Sequence, residues 1–337
     1  MTGTIWAVGG EQRMSFYQLE EWSQYKTALV VRVEDGRLER VLEYESPPEH
    51  CPDDTPSHVF KAATVQGDLA YLCTQTEVLV CDFPSFAIRQ VISHPWFNDV
   101  HHVAPAPDGR LFVAVTGLDA VAELSPEGEL LRLVSVLGGS PWDRFCPDTD
   151  YRKVPTTKPH QSHPNHVFFL DGQPWVTRFQ QRDAVPLDEL ALRPEHRPEH
   201  RQQRFEVGNA GIHDGHVVGD QLYFTSVDGC VIRFDLRTGK KTAFDLNTMA
   251  APDDDRPLGW CRGVLAMGDQ AWVGFTRIRY TTLRRNLSWI RHGFRESEHH
   301  RHHPTRIALY DLQESALLEQ VDLEPAGVGA VFSVHRS

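Results

Sequence analysis

A repeating block constrains this chain more than any other feature of its sequence. It is clearest from His102 to Val136 (HVAPAPDGRLFVAVTGLDAVAELSPEGELLRLVSV) and from His216 to Leu246 (HVVGDQLYFTSVDGCVIRFDLRTGKKTAFDL). Each copy holds four short apolar runs rich in Val, Leu, Ile and Phe, separated by DG, EG or TG turn dipeptides. Apolar alternation broken by such turns is the pattern of antiparallel hairpins. Four consecutive strands of this kind make one blade of a β-propeller.

The layout recurs at His58, at His166 and at Arg262, which gives five blades. The two ends of the chain supply the sixth. GVGAVFSVH near the C-terminus reads as one inner strand, and TIWAVGG, TALVVRVEDG and RLERVLEY near the N-terminus read as the other three. The expected fold is therefore an all-β, six-bladed propeller, a single domain over residues 1–337, with the C-terminal strand closing the ring against the N-terminal strands. Closure of this kind removes the exposed sheet edges of an open array.

Aligned on their HV openings, His58, His102, His166 and His216, with Arg262 in the fifth blade, share one place, the entrance of the innermost strand. The separations between them are unequal, so the extra residues belong to loops. Four insertions are expected, at about 9–26, 138–161, 246–259 and 277–304. In a propeller these connections emerge on one face, the face toward which the histidines point. Long loops gathered over one site favour function, since a bare propeller needs only tight turns.

The local strings are PSHV, VHHV, HPNHV and HDGHV, with WCRG one step further round. Neutral imidazoles converging on an axis from separate rigid strands can meet at roughly 2.0 to 2.2 Å from a first-row ion. An all-imidazole set suits Fe(II), Cu, Zn or Ni, and the lack of an acid at these four positions disfavours Ca²⁺ and Mg²⁺. Asp99, His163 and His213 stand three residues before ring members. They are candidates for orienting the ring, for acid–base catalysis, or for ligation in place of a ring member. Arg262 would repel a cation and is suited to clamp a carboxylate or other oxyanion. The competing reading is structural. WD40-type propellers carry a Gly-His pair whose ring bonds a neighbouring loop, and Gly215-His216 followed by FDLRTGK is similar to that pattern.

Composition narrows the partners. There are 46 acidic against 34 basic residues, a formal charge of −12, which argues against a ligand held mainly through phosphates, nucleic acid included. The one basic cluster, Arg277 to Arg306, reads as a solvated loop. Six scattered cysteines without a CxxC pair indicate neither a zinc ribbon nor a disulfide framework. They fit a reducing compartment. No signal-like leader and no membrane-spanning apolar run is present, which points to the cytoplasm. P-loop, nucleophile-elbow and dinucleotide motifs are missing as well.

The stretch Asp108 to Arg132 (DGRLFVAVTGLDAVAELSPEGELLR) resembles blades of the NHL, gluconolactonase-like and streptogramin-lyase propellers. The resemblance implies the propeller fold. Gluconolactonase-like enzymes hold a divalent ion with Glu, Asn and Asp, whereas histidines stand here, so their reaction is not implied. Four histidines from four inner strands are similar in arrangement to the Fe(II) centre of carotenoid cleavage oxygenases, an analogy of site alone.

The leading expectation is a metalloenzyme in which His58, His102, His166 and His216, or three of them, hold Fe(II) or a similar ion that acts on a small organic substrate, with oxygenase chemistry favoured. One alternative is a metal-assisted lyase or hydrolase with His163 or His213 as base. The other is a non-enzymatic propeller that binds a protein partner.

Overall fold

The computed structural model describes residues 3–13, 21–191, 204–208, 210–249, 256–278 and 302–337. Six four-stranded antiparallel sheets form a six-bladed β-propeller. Blade 1 takes β1 (Ile5–Gln12), β2 (Tyr25–Glu34) and β3 (Arg37–Tyr44) from the N-terminus. Blade 2 holds β4 (Thr64–Gln66), β5 (Leu69–Cys73), β6 (Val78–Asp82) and β7 (Ile88–Ile92). Blade 3 comprises β8 (Val100–Pro105), β9 (Leu111–Val115), β10 (Ala120–Leu124) and β11 (Leu130–Ser135), the first repeat recognised in the sequence. Blade 4 has β12 (Pro164–Leu170), β13 (Gln173–Arg178), β14 (Asp183–Pro186) and the two-residue β15 (Phe205–Glu206). Blade 5 follows with β16 (Ile212–Val218), β17 (Gln221–Ser226), β18 (Cys230–Asp235) and β19 (Lys241–Asp245). Blade 6 contains β20 (Trp260–Met267), β21 (Gln270–Thr276), β22 (Arg306–Asp311) and β23 (Ala316–Asp322). The last strand, β24 (Val328–Arg336), pairs with β1 and becomes the innermost strand of blade 1.

The chain's apolar alternation is used between blades. One cluster joins Val78 and Val80 of blade 2 to Val103, Val113 and Val115 of blade 3. Another joins Ala104, Phe112 and Val121 of blade 3 to Val167, Val176 and Val185 of blade 4. Phe168 and Trp175 meet Leu222, Phe224 and Ile232. Val231 and Tyr223 meet Cys261, Val264 and Val273. The ring is completed by Trp272 and Ile307 against Ile5, Leu29 and Val331, and by Trp6, Val8 and Val30 against Phe60, Ala70 and Leu72. Each blade thus buries both faces, and the sheets are stable only as a ring.

Closure is tight where β1 runs between its neighbours. Gly9 donates no side chain, and a Cβ there would stand 1.9 Å from the Ala330 carbonyl oxygen. The Gly9 carbonyl in turn accepts from Phe60 N–H at 3.0 Å, tying blade 1 to the approach of blade 2.

β1 runs on to Gln12 and β2 begins at Tyr25, both inside the span 9–26 read as the first insertion. The connection after blade 3 contains two short 3-10 turns, Pro141–Asp143 and Tyr151–Lys153. Most of the 277–304 insertion and parts of the 9–26 and 246–259 insertions lie outside the described residues. All six cysteines are free thiols. Among the described residues, no helix is long and apolar enough to cross a membrane.

The two kinds of glycine in blade 1 should separate experimentally. Gly9→Ala places a methyl group against backbone and is expected to cost about 2 to 4 kcal/mol of stability. Gly36→Ala meets nothing within 4 Å and strains only the φ of +75°, at about 1 kcal/mol. Urea unfolding midpoints check this, and equal losses in both variants would contradict the tight closure.

Candidate functional site

The inner strands are not regular. Their pairing with the second strands shifts between Val100 and His102, between Pro164 and His166, between His213 and His216, between Arg262 and Val264, and between Val331 and Ser333 opposite Gly9 and Val8. In β4's approach, Lys61 N–H bonds the Cys73 carbonyl while Thr64 pairs Tyr71, so Ala62 and Ala63 together face Leu72. A bulge leaves an extra residue whose side chain is re-aimed. Here the bulges turn His101, Asn165, Asp214 and Phe332 toward the axis. A narrow cavity there is lined by Ala62, His101, Asn165, His166, His213, Asp214, Arg262 and Phe332.

The axial residues form two tiers. In the lower tier His102 stacks on His166 with ring centroids 3.6 Å apart, and His166 meets His216 edge to face at 4.9 Å. His102 Nδ1 accepts from Val167 N–H at 3.1 Å. Its Nε2 lies 2.9 Å from Thr64 Oγ1, whose own proton goes to the Val103 carbonyl, so His102 Nε2–H is the donor. Both nitrogens of His102 are thereby engaged. His166 differs, because its Nδ1 is buried without a partner. One ligand atom from each of His166, Asp214 and His216 lies within 4.8 Å of the others. Asp214 Oδ2 is fixed by Thr225 Oγ1 at 2.5 Å and Gly263 N–H at 3.0 Å, while Oδ1 is 3.5 Å from His216 Nε2.

The four-histidine set expected from the sequence is therefore not the group brought together here. His58 lies outside it: its Nδ1 accepts from Ser46 N–H at 3.0 Å, in the approach to blade 2. The HV alignment slipped there, because strand pairing places Ala63, not His58, near the position of His102. A carboxylate, Asp214, stands among the ligands instead, and His102 is committed to backbone and Thr64. His335 of the closing strand also belongs near this tier. It is buried, with Nε2 3.1 Å from Ser333 Oγ.

The upper tier holds Lys61, Asp99, His101, His163, His213 and Arg262. Lys61 is almost fully buried and pairs with Asp99 at 3.4 Å. His101 Nδ1–H donates to the Asp99 carbonyl at 2.7 Å, leaving Nε2 as the ring's acceptor. His163 packs on His101 at 4.8 Å and on Phe179 at 5.1 Å. Its backbone is held by Asp119, whose carboxylate accepts from the N–H groups of Gln161, Ser162 and His163 at 2.8 to 2.9 Å. His160, from the insertion after blade 3, reaches His163 at 3.2 Å. Trp22 and Lys158, from two insertions, line a neighbouring cavity with Asp99. Asp99, His163 and Asp214 all adopt left-handed backbone, with φ of 49°, 58° and 66°. Such strain persists only where surroundings impose it.

Burial dominates the electrostatics. It pushes His101, His102, His166 and His213 well below the usual imidazole range. Lys61 adds to the effect on His101, His216 to that on His102, His102 to that on His166, and Arg262 to that on His213. His335 is lowered to about 3 by burial and by His216. Burial alone would raise the Asp99 carboxyl, but Lys61 and His163 outweigh it and hold the group ionised.

The sequence reading missed Lys61, Phe332 and His335, and gave no role to Asn165 or Asp214, which stand within the strings HPNHV and HDGHV. Counting back from the QGD turn of blade 2, rather than forward from HV, would have brought Lys61 and Ala62 to the axis.

These buried rings make acid stability predictable. A ring neutral in the fold and protonated when unfolded costs stability as pH falls below about 6.5, so the contribution is complete above that value and shrinks below it. Metal-free protein should show a level urea midpoint from about pH 7 to 8 and a steep decline on acidification. His335→Gln should flatten that decline by about 1.4 kcal/mol per pH unit between about pH 6 and 4. An unchanged slope would show that His335 titrates normally.

No family model matches the chain, and no curated protein matches it. Solved structures do. A protein of unknown function from Bacteroides caccae is 11% identical, with 99% of each chain covered and a TM-score of 0.58. A chain of a nidogen/laminin complex is 9% identical over 98% of this chain and 97% of its own, with a TM-score of 0.54. A catalytically inactive virginiamycin B lyase from Staphylococcus aureus, solved with quinupristin, is 12% identical over 94% and 85%, with a TM-score of 0.45. The likenesses to the first two show the six-bladed fold and extend no further.

Proposed function

We propose that the protein is a metal-dependent enzyme acting on a small organic substrate at the axis, with a first-row ion held by His166, Asp214 and His216. The observation that carries this reading is the set His166, Asp214 and His216, whose ligand atoms lie within 4.8 Å of one another, on a His166 ring whose Nδ1 is buried without a partner. An unsatisfied buried nitrogen costs about 1 to 3 kcal/mol, which a ligand would offset. Two histidines and one carboxylate suit Fe(II), with Cu, Zn or Ni as other occupants. Such an ion, when bound, supplies Lewis-acid or O₂-directed chemistry through its open positions.

The chain's own groups do the rest. Asp214 is oriented by Gly263 and Thr225, so its free oxygen faces the two rings. His102 stacks on His166 and fixes its plane. Above them His101 Nε2 offers a neutral acceptor, and His213, whose Nδ1 accepts from Asn165 at 2.9 Å, presents Nε2–H as a donor. This pairing favours a second reading, a metal-assisted lyase or hydrolase in which His101, rather than His163 or His213, takes the proton.

Metal analysis of protein purified without a histidine tag and reconstituted under anaerobic conditions tests the centre. Close to one equivalent of a first-row ion is expected. Less than about a tenth of an equivalent would remove the reading. His166→Ala and Asp214→Asn should each lower metal affinity at least about tenfold. His102→Gln, on a ring with both nitrogens committed elsewhere, should retain the ion, and loss in that variant alone would restore the histidine-only set.

A further inference from the structure

The core between blades 5 and 6 ends in a cleft of about 380 Å³ that opens to solvent beside the turns β18–β19 and β20–β21, on the face away from the insertions. That volume lies within the roughly 300 to 1,000 Å³ of small-molecule sites. Strand register explains why the cleft is polar. Tyr223 of β17, Arg233 of β18 and Thr242 of β19 pair in one row across blade 5, on the side turned to blade 6. The Tyr223 ring packs in the core with Val264 and Ala271 at 2% exposure, and its hydroxyl end meets the cleft.

The corresponding rows of two other blades neutralise themselves. In blade 1 the row is Trp6, Arg32 and Glu39, and Arg32 pairs with Glu39 at 2.6 Å. In blade 3 it is Phe112, Glu123 and Arg132, and the Glu123 carboxylate accepts from both Arg132 and Arg110. Blade 5 repeats the arginine of blade 1 but has Thr242 in place of the glutamate. Arg233 is half-buried over Phe244, 5.1 Å from the ring centroid, and no described carboxylate is within ion-pair distance of it. Lys240, on the same wall, has no ion-pair partner among the described residues either. Asp235 lines the cleft but is already engaged, accepting from the N–H groups of Arg237 and Thr238 at 3.0 and 2.8 Å and from Gln221 Nε2 at 3.2 Å.

The opposite wall is the β20–β21 turn, held where Leu312 N–H donates to the Asp269 carbonyl at 2.8 Å. The Asp269 carboxylate has no partner among the described residues. Two cations on one wall and a carboxylate on the other, none neutralised among the described residues, complement a ligand that carries both signs of charge.

We propose that this cleft binds a small zwitterion of dipeptide size, its carboxylate against Arg233 and Lys240 and its ammonium group against Asp269. A planar carboxylate matches the guanidinium fork. The hydroxyls of Tyr223 and Thr242 supply further donors beside it. Phosphate would meet the same cations but bring like charge toward Asp235 and Asp269. The site lies off the axis and is independent of the metal reading.

Calorimetric titration of the full-length protein with dialanine, N-acetyl-dialanine, dialanine amide and inorganic phosphate tests the assignment. Dialanine is expected to bind at least about fivefold more tightly than each of the others, since each blocked form gives up one charge-assisted contact. Arg233→Gln should bring dialanine down to the affinity of its amide, and Asp269→Asn to that of the acetylated form. Absence of dialanine binding, equal binding of either blocked peptide, or equal binding of phosphate overturns the proposal. So does discrimination that persists unchanged in either variant. The comparison of the four ligands needs no variant and stands if a substitution prevents folding.

Discussion

The pairing of β24 with β1 is the constraint on which everything else rests. Each apolar cluster lies between two blades, so no blade has a core of its own and the first and last blades would each expose a face in an open array. Closing the ring with a strand from the far end of the chain converts six weak sheets into one structure. It also fixes the radius of the axis. Side chains on six inner strands are then driven together, and what occupies those positions must either pack or do chemistry.

Ordinary strands would fill that space with apolar side chains. Here bulges in the inner strands interrupt the alternation at one height and aim polar groups inward. The cost is visible in several places. Asp99, His163 and Asp214 sit in left-handed backbone, and four polar atoms on His166, His213, Asn165 and Arg262 are left without partners. Rigid surroundings hold this arrangement, as the three N–H groups gathered by Asp119 illustrate at the entrance to blade 4. Such unmet demands, gathered in one cavity, lower the stability of the fold.

Much of this was legible in the sequence because it is local. Turn dipeptides and period-two alternation marked the blades, and the closing strand followed from an incomplete blade at each end. Of the residues picked out there, His166, His213 and Arg262 line the axial cavity, His102 and His216 pack on His166, and Asp99 and His163 contact His101. His58 does not, because matching HV strings ignores the hairpin that sets register, and blade 2 carries extra residues between the two. Lys61 and Phe332 bear no motif; they matter only through the ring they share. Asp214 stands within the HDGHV string, but its orientation depends on a backbone N–H from Gly263 in the next blade, which no spacing encodes. The commitment of both His102 nitrogens is likewise a product of packing against Thr64 and Val167.

The two tiers are close enough to act on one another. His213 precedes Asp214 in the chain, and Gly263, which fixes the carboxylate, follows Arg262. With His101, His102, His166 and His213 held neutral by burial, the fixed charges around the cavity are those of Lys61, Arg262, Asp99 and Asp214. Asp99 is spent on Lys61, and Asp214 is held by Thr225 and by Gly263 N–H, the residue after Arg262.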